Sequence, residues 1–310
     1  MRALLGPVAA LMVIGAAWGA TQPLAKVAVS QGHAPLGLLV WQSAIVALLL
    51  GSLTLIRGRR IPCDRASLGL YLVIALAGSV LPGIASYSAA VHLPSGILSI
   101  LLSSIPMLAL PMAIAMGNDR FSAGRLAGLV LGLCGVALLV LPETSLPEGT
   151  EALWIPVALV SSAFYAFEGN YVARWGTRGL DPLQVLTGAS VMGLAITLPL
   201  ALASGQYIDP TGPWRAPEQA LVASAVLHAG AYAGYVGLVG IAGAVFTAQV
   251  SYFVTFFGLV WAMLFLSEAY SGWVWAALGC MLAGLVLVQP RPKAALVPDA
   301  VLGQNGPVQG

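Results

Sequence analysis

Glu168 carries the most evident chemistry in this chain, because it interrupts a long apolar run. The run covers residues 152–175, and Tyr165 precedes the acid by three positions, on the same face of a helix. An acid at the centre of a bilayer costs about 2.5–3.5 kcal/mol on insertion scales. Such a group is retained where it meets water, a cation or a proton. We expect Glu168 to bind the amine of a small molecule or to take up and release a proton; the alternative is a structural ion pair with Arg174 or Lys26.

Hydroxyl side chains recur every fourth residue in two further apolar runs. They are Ser95, Ser99 and Ser103 in the first run, and Thr247, Ser251 and Thr255 in the second. Four-residue spacing places each set on one helical face, so the two sets are expected to form facing walls of one cavity. Close helix packing, which also favours small residues, is the alternative for any single hydroxyl.

Aromatic residues complete the expected site. Rings with polar tips bind an amphipathic solute by stacking, by cation–π contact and by hydrogen bonding, although a buried aromatic is more often a core residue. With one acid and no cluster of buried Lys or Arg, the set suits a small zwitterion better than a phosphate. The expected substrate-binding residues are Trp18, Tyr87, Ser99, Ser103, Tyr165, Glu168, Tyr235, Thr247 and Ser251.

The composition predicts that helices crossing a membrane carry these residues. Hydrophobic residues make up 59% of the chain and charged residues 8%, with a mean hydropathy of +0.92. An average soluble domain is about 25% charged. Apolar runs of about 20 residues, enough to cross a bilayer, are expected at 8–29, 36–56, 68–89, 92–116, 122–141, 152–175, 183–203, 217–239, 241–266 and 271–289.

An internal duplication organises these ten runs into two halves. The second half repeats the first with a shift of about 148 residues and a one-residue slip near Asp119. Tyr87 matches Tyr235, Ser99 matches Thr247, and Pro35 matches Pro182. We therefore expect a first five-helix repeat at 1–146, a second at 147–290 and a disordered cytoplasmic tail at 291–310. Repeats of this kind are typical of transporters, whose halves rock around a central site.

The basic residues predict the orientation of the chain in the membrane. With the N-terminus in the cytoplasm, eleven of the thirteen Lys and Arg residues fall on the inner side, which leaves only Lys26 and Arg215 outside. The outer side also receives Glu143, Glu148 and Glu151. Because five is an odd number, the second repeat must be inverted relative to the first. The expected fold is an all-α integral membrane protein of ten transmembrane helices, an inverted 5+5 repeat around a central cavity.

The sequence offers little for an enzyme. It has no HExxH metal motif, no GxSxG elbow and no glycine-rich phosphate loop. Its three cysteines, Cys63, Cys134 and Cys280, are far apart and suit packing better than a metal site. We therefore expect no enzymatic activity, no metal and no cofactor.

The ten-run duplication, with Trp18-Gly19 in the first run and a proline near the end of each half, resembles the drug/metabolite transporter superfamily. It is closest to the EamA-like branch, which includes bacterial exporters of amino acids and other metabolites. One departure is Tyr165-Ala166, which stands where the first repeat has Trp18-Gly19. The two halves are thus chemically unequal at a cavity position.

The resemblance implies a multi-pass protein of the bacterial inner membrane with both termini cytoplasmic. It implies export of amino acids, aromatic and neutral ones first, by alternating access. Export of nucleobases, polyamines or drugs is the alternative, followed by a channel or a membrane-embedded enzyme. Expected partners are a small-molecule substrate and the lipid bilayer, with no nucleic acid; a homodimer through the fifth and tenth helices is an open alternative.

Overall fold

The computed structural model of this chain describes residues 2–141, 146, 150–247 and 249–288. Throughout these residues the regular structure is helical, with no strand. The α-helices are α1 (Arg2–Val29), α2 (Pro35–Ile56), α3 (Arg65–Ala75), α4 (Leu81–His92), α5 (Ser95–Leu102), α6 (Ile105–Ala115), α7 (Ala123–Val140), α8 (Ile155–Trp175), α9 (Pro182–Ala203), α10 (Ala216–Ala242), α11 (Ala244–Thr247), α12 (Val250–Leu266) and α13 (Gly272–Val288).

Eight helical segments of the described chain are long and apolar enough to cross a membrane. One of them joins α3 to α4 through a π-helical turn at Leu76–Val80, and another joins α5 to α6. The remaining two apolar helices, α12 and α13, are shorter, at 17 residues each. The expected tail 291–310 and the loop acids Glu143 and Glu148 lie outside the described residues.

The π-helical turn has a local cause in the sequence. Pro82 has no backbone N–H and so cannot donate to the carbonyl of Gly78, four residues earlier. The helical hydrogen-bond pattern shifts at this point, and the amide of Leu81 donates to the carbonyl of Leu76, five residues earlier. Such single π turns are frequent at functional sites.

The fourth and ninth apolar runs, expected to be continuous, are each broken. α5 ends at Leu102 and α6 begins at Ile105, while α10 extends to Ala242 and Gly243 separates it from the short α11. In the first break, the amides of Ser103 and Ser104 donate three residues back, to the carbonyls of Ile100 and Leu101, at 3.0 Å each. The hydroxyls of the same two serines donate to these carbonyls as well, at 2.6 Å each. Irregular backbone inside a membrane requires such internal partners.

The two halves make matching contacts across the molecule. α1 packs on α10 and α12, just as α8 packs on α4 and α6. α2 runs antiparallel to α9, since Ser43 lies beside Gly193 and Thr54 beside Thr187. α7 and α13 are also antiparallel, since Gly128 lies beside Val288 and Gly135 beside Ala277.

The helix order gathers the loops at two ends of the bundle. We call one the basic end; it holds loops 57–64, 116–122 and 176–181 and the break at Gly243, with arginines 57, 59, 60, 120, 174 and 178. The other is the acidic end, with loops 30–34, 93–94, 204–215 and 267–271 and the described part of the α7–α8 connection. Glu151, Asp209, Glu218 and Glu268 lie there.

Gly128 tests the packing of α7 on α13. A Cβ at Gly128 would lie 2.6 Å from Cγ2 of Val288 and 2.7 Å from the carbonyl oxygen of Gly284, so the helices would have to separate. Gly128→Ala should lower the free energy of unfolding by about 1–3 kcal/mol, the usual cost of overpacking. Gly124→Ala is the matched control, because a Cβ there meets nothing within 4 Å. Thermal unfolding in detergent measures both, and equal midpoints for the two variants would contradict the packing.

Candidate substrate cavity

A cavity of about 290 Å³ lies between α3, α8, α9 and α10. It reaches from Glu168 to Thr177 and Pro182 at the basic end, and its volume suits a small metabolite. Its walls are mainly apolar, with three polar side chains near its inner part. These are Glu168 from α8 and Tyr232 and Tyr235 from α10.

A larger hollow of about 470 Å³ lies at the acidic end, among loop residues. Its two acids already have partners within the protein: Oε1 of Glu218 lies 2.7 Å from Nε2 of His33, and Asp209 accepts from the hydroxyl of Thr211 at 2.7 Å. A hollow among surface loops with satisfied acids offers less to an amine than the smaller cavity with an unsatisfied acid. We therefore take the smaller cavity as the candidate site.

Glu168 faces this cavity without a partner from the protein. It is half-buried, and with no described residue does it form an ion pair or a hydrogen bond. Lys26 binds elsewhere, since its Nζ donates to the carbonyls of Ala90 at 2.8 Å and Val91 at 3.0 Å. Arg174 is exposed. Glu168 therefore forms no ion pair with Lys26 or Arg174, which was the alternative left open by the sequence.

The π-helical turn makes room for the carboxylate of Glu168. A Cβ built on Gly78 would lie 2.6 Å from each of its carboxylate oxygens. Only a glycine therefore allows the acid to lie against this backbone. Gly78 was not among the expected site residues, although Pro82 four residues later is a sequence signal for the irregular turn.

One face of α10 supplies an aromatic wall beside the acid. His228, Tyr232 and Tyr235 follow at helical spacing, and all three rings approach Trp18 from α1. The Trp18 and Tyr235 centroids are 5.6 Å apart, and those of Trp18 and Tyr232 are 6.5 Å apart with an edge-on arrangement. Nε1 of Trp18 donates to Nδ1 of His228 at 3.3 Å, which leaves the His228 proton on Nε2.

Tyr165 and Tyr87 extend this polar set toward the first repeat. Tyr165 lies within electrostatic range of both Glu168 and Tyr87. The hydroxyl of Tyr87 donates to Oε1 of Gln42 at 2.8 Å, and only 6% of the Tyr87 surface is exposed. Five of the nine expected residues thus form one neighbourhood: Trp18, Tyr87, Tyr165, Glu168 and Tyr235.

The other four expected residues are the hydroxyls, and three of them are fully enclosed. Ser99 donates to the carbonyl of Ser95 at 3.1 Å and lies against Gly258 of α12. Ser103 closes the α5–α6 break, and Thr247 donates to the carbonyl of Gly243 at 2.9 Å. Ser251 is half-buried, and its carbonyl accepts from Thr255 at 3.0 Å. In this conformation the enclosed hydroxyls bind backbone carbonyls.

Tyr232 and His228 belong to the site more clearly than the sequence indicated. Neither was among the nine expected residues, because each was judged alone and not with the helix that carries it. The signal was present as the spacing of positions 228, 232 and 235, which places three rings on one face of a helix.

Comparison with known proteins assigns the family. The model of the EamA-like transporter family matches this chain twice, at residues 6–141 and 152–289. The chain belongs to the EamA-like transporter family. It is thus a multi-pass membrane protein of a transporter family, consistent with the drug/metabolite transporter superfamily. No match was found among curated proteins.

The family fold is also found among solved structures. A crystal structure described only as "Crystal structure of protein" is similar to this EamA-like chain with a TM-score of 0.62 and 17% sequence identity. The similarity covers 90% of this chain and 96% of the other. At this identity the likeness concerns the fold alone.

Gly78→Ala tests whether the position of the Glu168 carboxylate matters for transport. The added methyl group must displace the acid from the cavity wall while its charge is kept. We expect solute counterflow in proteoliposomes to fall about tenfold, the effect of misplacing a charge-assisted contact worth roughly 1.5 kcal/mol. Gly69→Ala, in α3, is the control, because a Cβ there meets nothing within 4 Å. If both variants transport like the wild type, the placement of Glu168 is not functional.

Proposed function

We propose that this EamA-like protein exports small amine-bearing metabolites, amino acids with aromatic or neutral side chains first among them, from a bacterial cytoplasm. The observation that carries the proposal is the unpaired carboxylate of Glu168 in an otherwise apolar cavity beside Tyr232 and Tyr235. A substrate ammonium group would supply the cation that the protein does not. The ring of the solute would then pack on the tyrosines.

The chemistry of the cavity distinguishes among the alternative solutes. Among the described residues that line it, Glu168 is the one charged group, whereas a polyamine has several cations to bind. A sugar phosphate would want arginine or lysine in the cavity wall. A single acid with tyrosines therefore favours one amine next to an apolar or aromatic group.

Alternating access between inverted repeats is the proposed mechanism. α2 and α9, which correspond to each other in the two repeats, are antiparallel, and so are α7 and α13. Repeats related by an axis in the membrane plane have this property. In the ten-helix arrangement that we propose, α12 and α13 also cross the bilayer, since about 17 residues is the lower limit for a crossing helix.

The two ends of the bundle differ in a way that supports this mechanism. Leu186 lines the cavity toward the basic end and is partly exposed. Its counterpart in the first repeat, Leu39, is 1% exposed. A cavity open at one end with its repeat counterpart closed corresponds to one of two access states.

Glu168→Gln tests the role of the acid directly. It keeps the shape and removes the charge, so counterflow should fall by about tenfold to a hundredfold, the effect of losing a charged hydrogen bond. The thermal midpoint should stay constant or rise, because no partner is left unpaired. A structural ion pair predicts the opposite, a loss of about 3–5 kcal/mol in stability.

The experiment uses proteoliposomes loaded with a panel of amino acids, with and without a proton gradient. Glu151→Gln is the control, because Glu151 is an exposed acid at the other end and binds His92 and Trp154. Wild-type counterflow by Glu168→Gln at every pH would remove both the amine-binding and the proton-coupling roles of Glu168.

We also propose that the basic end faces the cytoplasm, as the excess of arginine there requires. Native Cys63 is exposed in the 57–64 loop, and Thr211 is exposed in the 204–215 loop. In intact cells a membrane-impermeant maleimide should react with Thr211→Cys at once and with Cys63 only after permeabilisation. The reverse order of reaction would overturn the orientation.

A further inference from the structure

Glu268 ties the two repeats together at the acidic end. Its Oε1 accepts from the amide of Ser95 at 2.8 Å and from the hydroxyl of Ser95 at 2.9 Å, and its Oε2 accepts from the amide of Gly96 at 3.1 Å. The hydroxyl of Tyr270 donates to the same carboxylate. Glu268 belongs to the second repeat and Ser95 to the first. The hydrogen bonds of this carboxylate therefore join the two repeats, which move relative to each other in the proposed transport cycle.

A second charge holds the other side of the same turn. Lys26 donates to the carbonyls of Ala90 and Val91 at the end of α4, and Glu268 accepts from the amides that begin α5. Leu93, within the turn, is 0% exposed. The α4–α5 turn is thereby fixed from α1 on one side and from the α12–α13 connection on the other.

The repeat places a carboxylate at the equivalent position of the basic end. Asp119-Arg120-Phe121-Ser122 corresponds to Glu268-Ala269-Tyr270-Ser271, just after the one-residue slip between the repeats. In the same comparison Gly243-Ala244 corresponds to Ser95-Gly96. If the repeats exchanged conformations, Asp119 would accept from the amides of Gly243 and Ala244.

Asp119 has other partners in the present state. Its Oδ2 pairs with Arg125, which is only 4% exposed, and its Oδ1 accepts from the amide of Arg120 at 2.8 Å. The amide of Gly243 donates instead to the carbonyl of Val239 at 3.0 Å. Val239 lines the cavity, so the Gly243 turn borders the open side.

We propose that Glu268 and Asp119 are alternating latches of the transport cycle. Glu268 holds the acidic end closed in the state seen here. When that end opens, Glu268 releases Ser95 and Gly96, and Asp119 leaves Arg125 to bind the amides of Gly243 and Ala244, closing the basic end. The inference rests on the proposed alternating access and adds the residues that select between its two states.

The two latch carboxylates differ in the partner available to each when it is released, and this difference agrees with the conformation seen here. Arg125 corresponds to Val274, which is fully buried and cannot pair with a released Glu268. A released Glu268 would keep only the hydroxyl of Tyr270, whereas a released Asp119 has the guanidinium of Arg125. The resting state should accordingly be the one in which Asp119 is paired with Arg125 and Glu268 is engaged, which leaves the basic end open.

The experiment measures the two states without any solute. Leu39→Cys and Leu186→Cys are repeat-equivalent reporters, one at the closed side and one in the open cavity wall. Each is placed in the full-length protein with Cys63, Cys134 and Cys280 replaced, and is reacted with a small charged methanethiosulfonate in lipid nanodiscs. In this background the Leu186→Cys reporter should react faster than the Leu39→Cys reporter.

Opposite effects of the two latch variants are expected. Glu268→Gln should raise the reaction rate of Leu39→Cys about tenfold and lower that of Leu186→Cys, as loss of one charge-assisted cap implies. Asp119→Asn alone would remove both the pair with Arg125 in the present state and the latch in the other state, so the latch is tested in an Arg125→Gln background, where that pair is already absent. There Asp119→Asn should lower the rate of Leu39→Cys about tenfold, and adding Glu268→Gln should return the rate close to that of Arg125→Gln alone. Asp119→Glu, which restores the side chain found at position 268, should behave like the background and shows that the site tolerates substitution.

Asp64→Asn and Asp209→Asn are the matched controls. Asp64 caps α3 at the basic end, and Asp209 is exposed at the acidic end, where it accepts from Thr211 of its own loop; neither lies on a latch turn. The proposal is overturned if, in the Arg125→Gln background, Asp119→Asn leaves the rate of Leu39→Cys unchanged, raises it as Glu268→Gln does, or has no larger effect than the controls. Because the assay needs no solute, a wild type that carries no amine would refute the proposed function and leave the latch result standing on its own.

Discussion

The unpaired carboxylate of Glu168 is the feature on which the site depends. An acid inside a membrane protein is costly, and most such acids have a cation or several donors nearby. Here the turn at Leu76–Val80 approaches the carboxylate through a glycine, and the tyrosines of α10 line the cavity beside it. Lys26 donates to backbone carbonyls of α4, and Arg174 is exposed. The protein leaves the acid a water-accessible space and no counter-ion, as a binding site for a cation requires.

The same bilayer constraint explains the hydroxyl residues that do not face the cavity. A broken helix inside a membrane frees carbonyls that water cannot reach, and Ser103, Ser104 and Ser162 donate to carbonyls around the α5–α6 break. Ser99 is small enough to lie against Gly258. Spacing of four residues showed that these hydroxyls share a face. It did not distinguish a face toward water from a face toward a neighbouring helix, since both favour small side chains.

Hydrophobic runs were sufficient to predict eight helical segments of membrane-crossing length and two shorter apolar helices near their observed places, because the requirement for about 20 apolar residues is strong and local. The breaks at Ser103 and Gly243 were not predictable in this way, since an apolar run gives no sign of where its hydrogen-bond ladder is interrupted. Trp18, Tyr165 and Glu168 were predicted because polar and aromatic groups are conspicuous among aliphatic ones. Gly78 was not predicted, because it contributes only by lacking a side chain. That lack matters because α8 brings the Glu168 carboxylate against it.

Recognition of the solute amine by Glu168 is tested most directly by a three-compound series. Tryptamine has the amine and the ring, tryptophan adds a carboxylate, and indole-3-propionate has the ring and carboxylate without the amine. Binding of each to the purified wild type is measured by isothermal titration calorimetry in detergent. The account predicts that tryptamine and tryptophan bind and that indole-3-propionate binds at least about tenfold more weakly, the loss of one charged contact. Binding of indole-3-propionate as tight as that of tryptamine would contradict it.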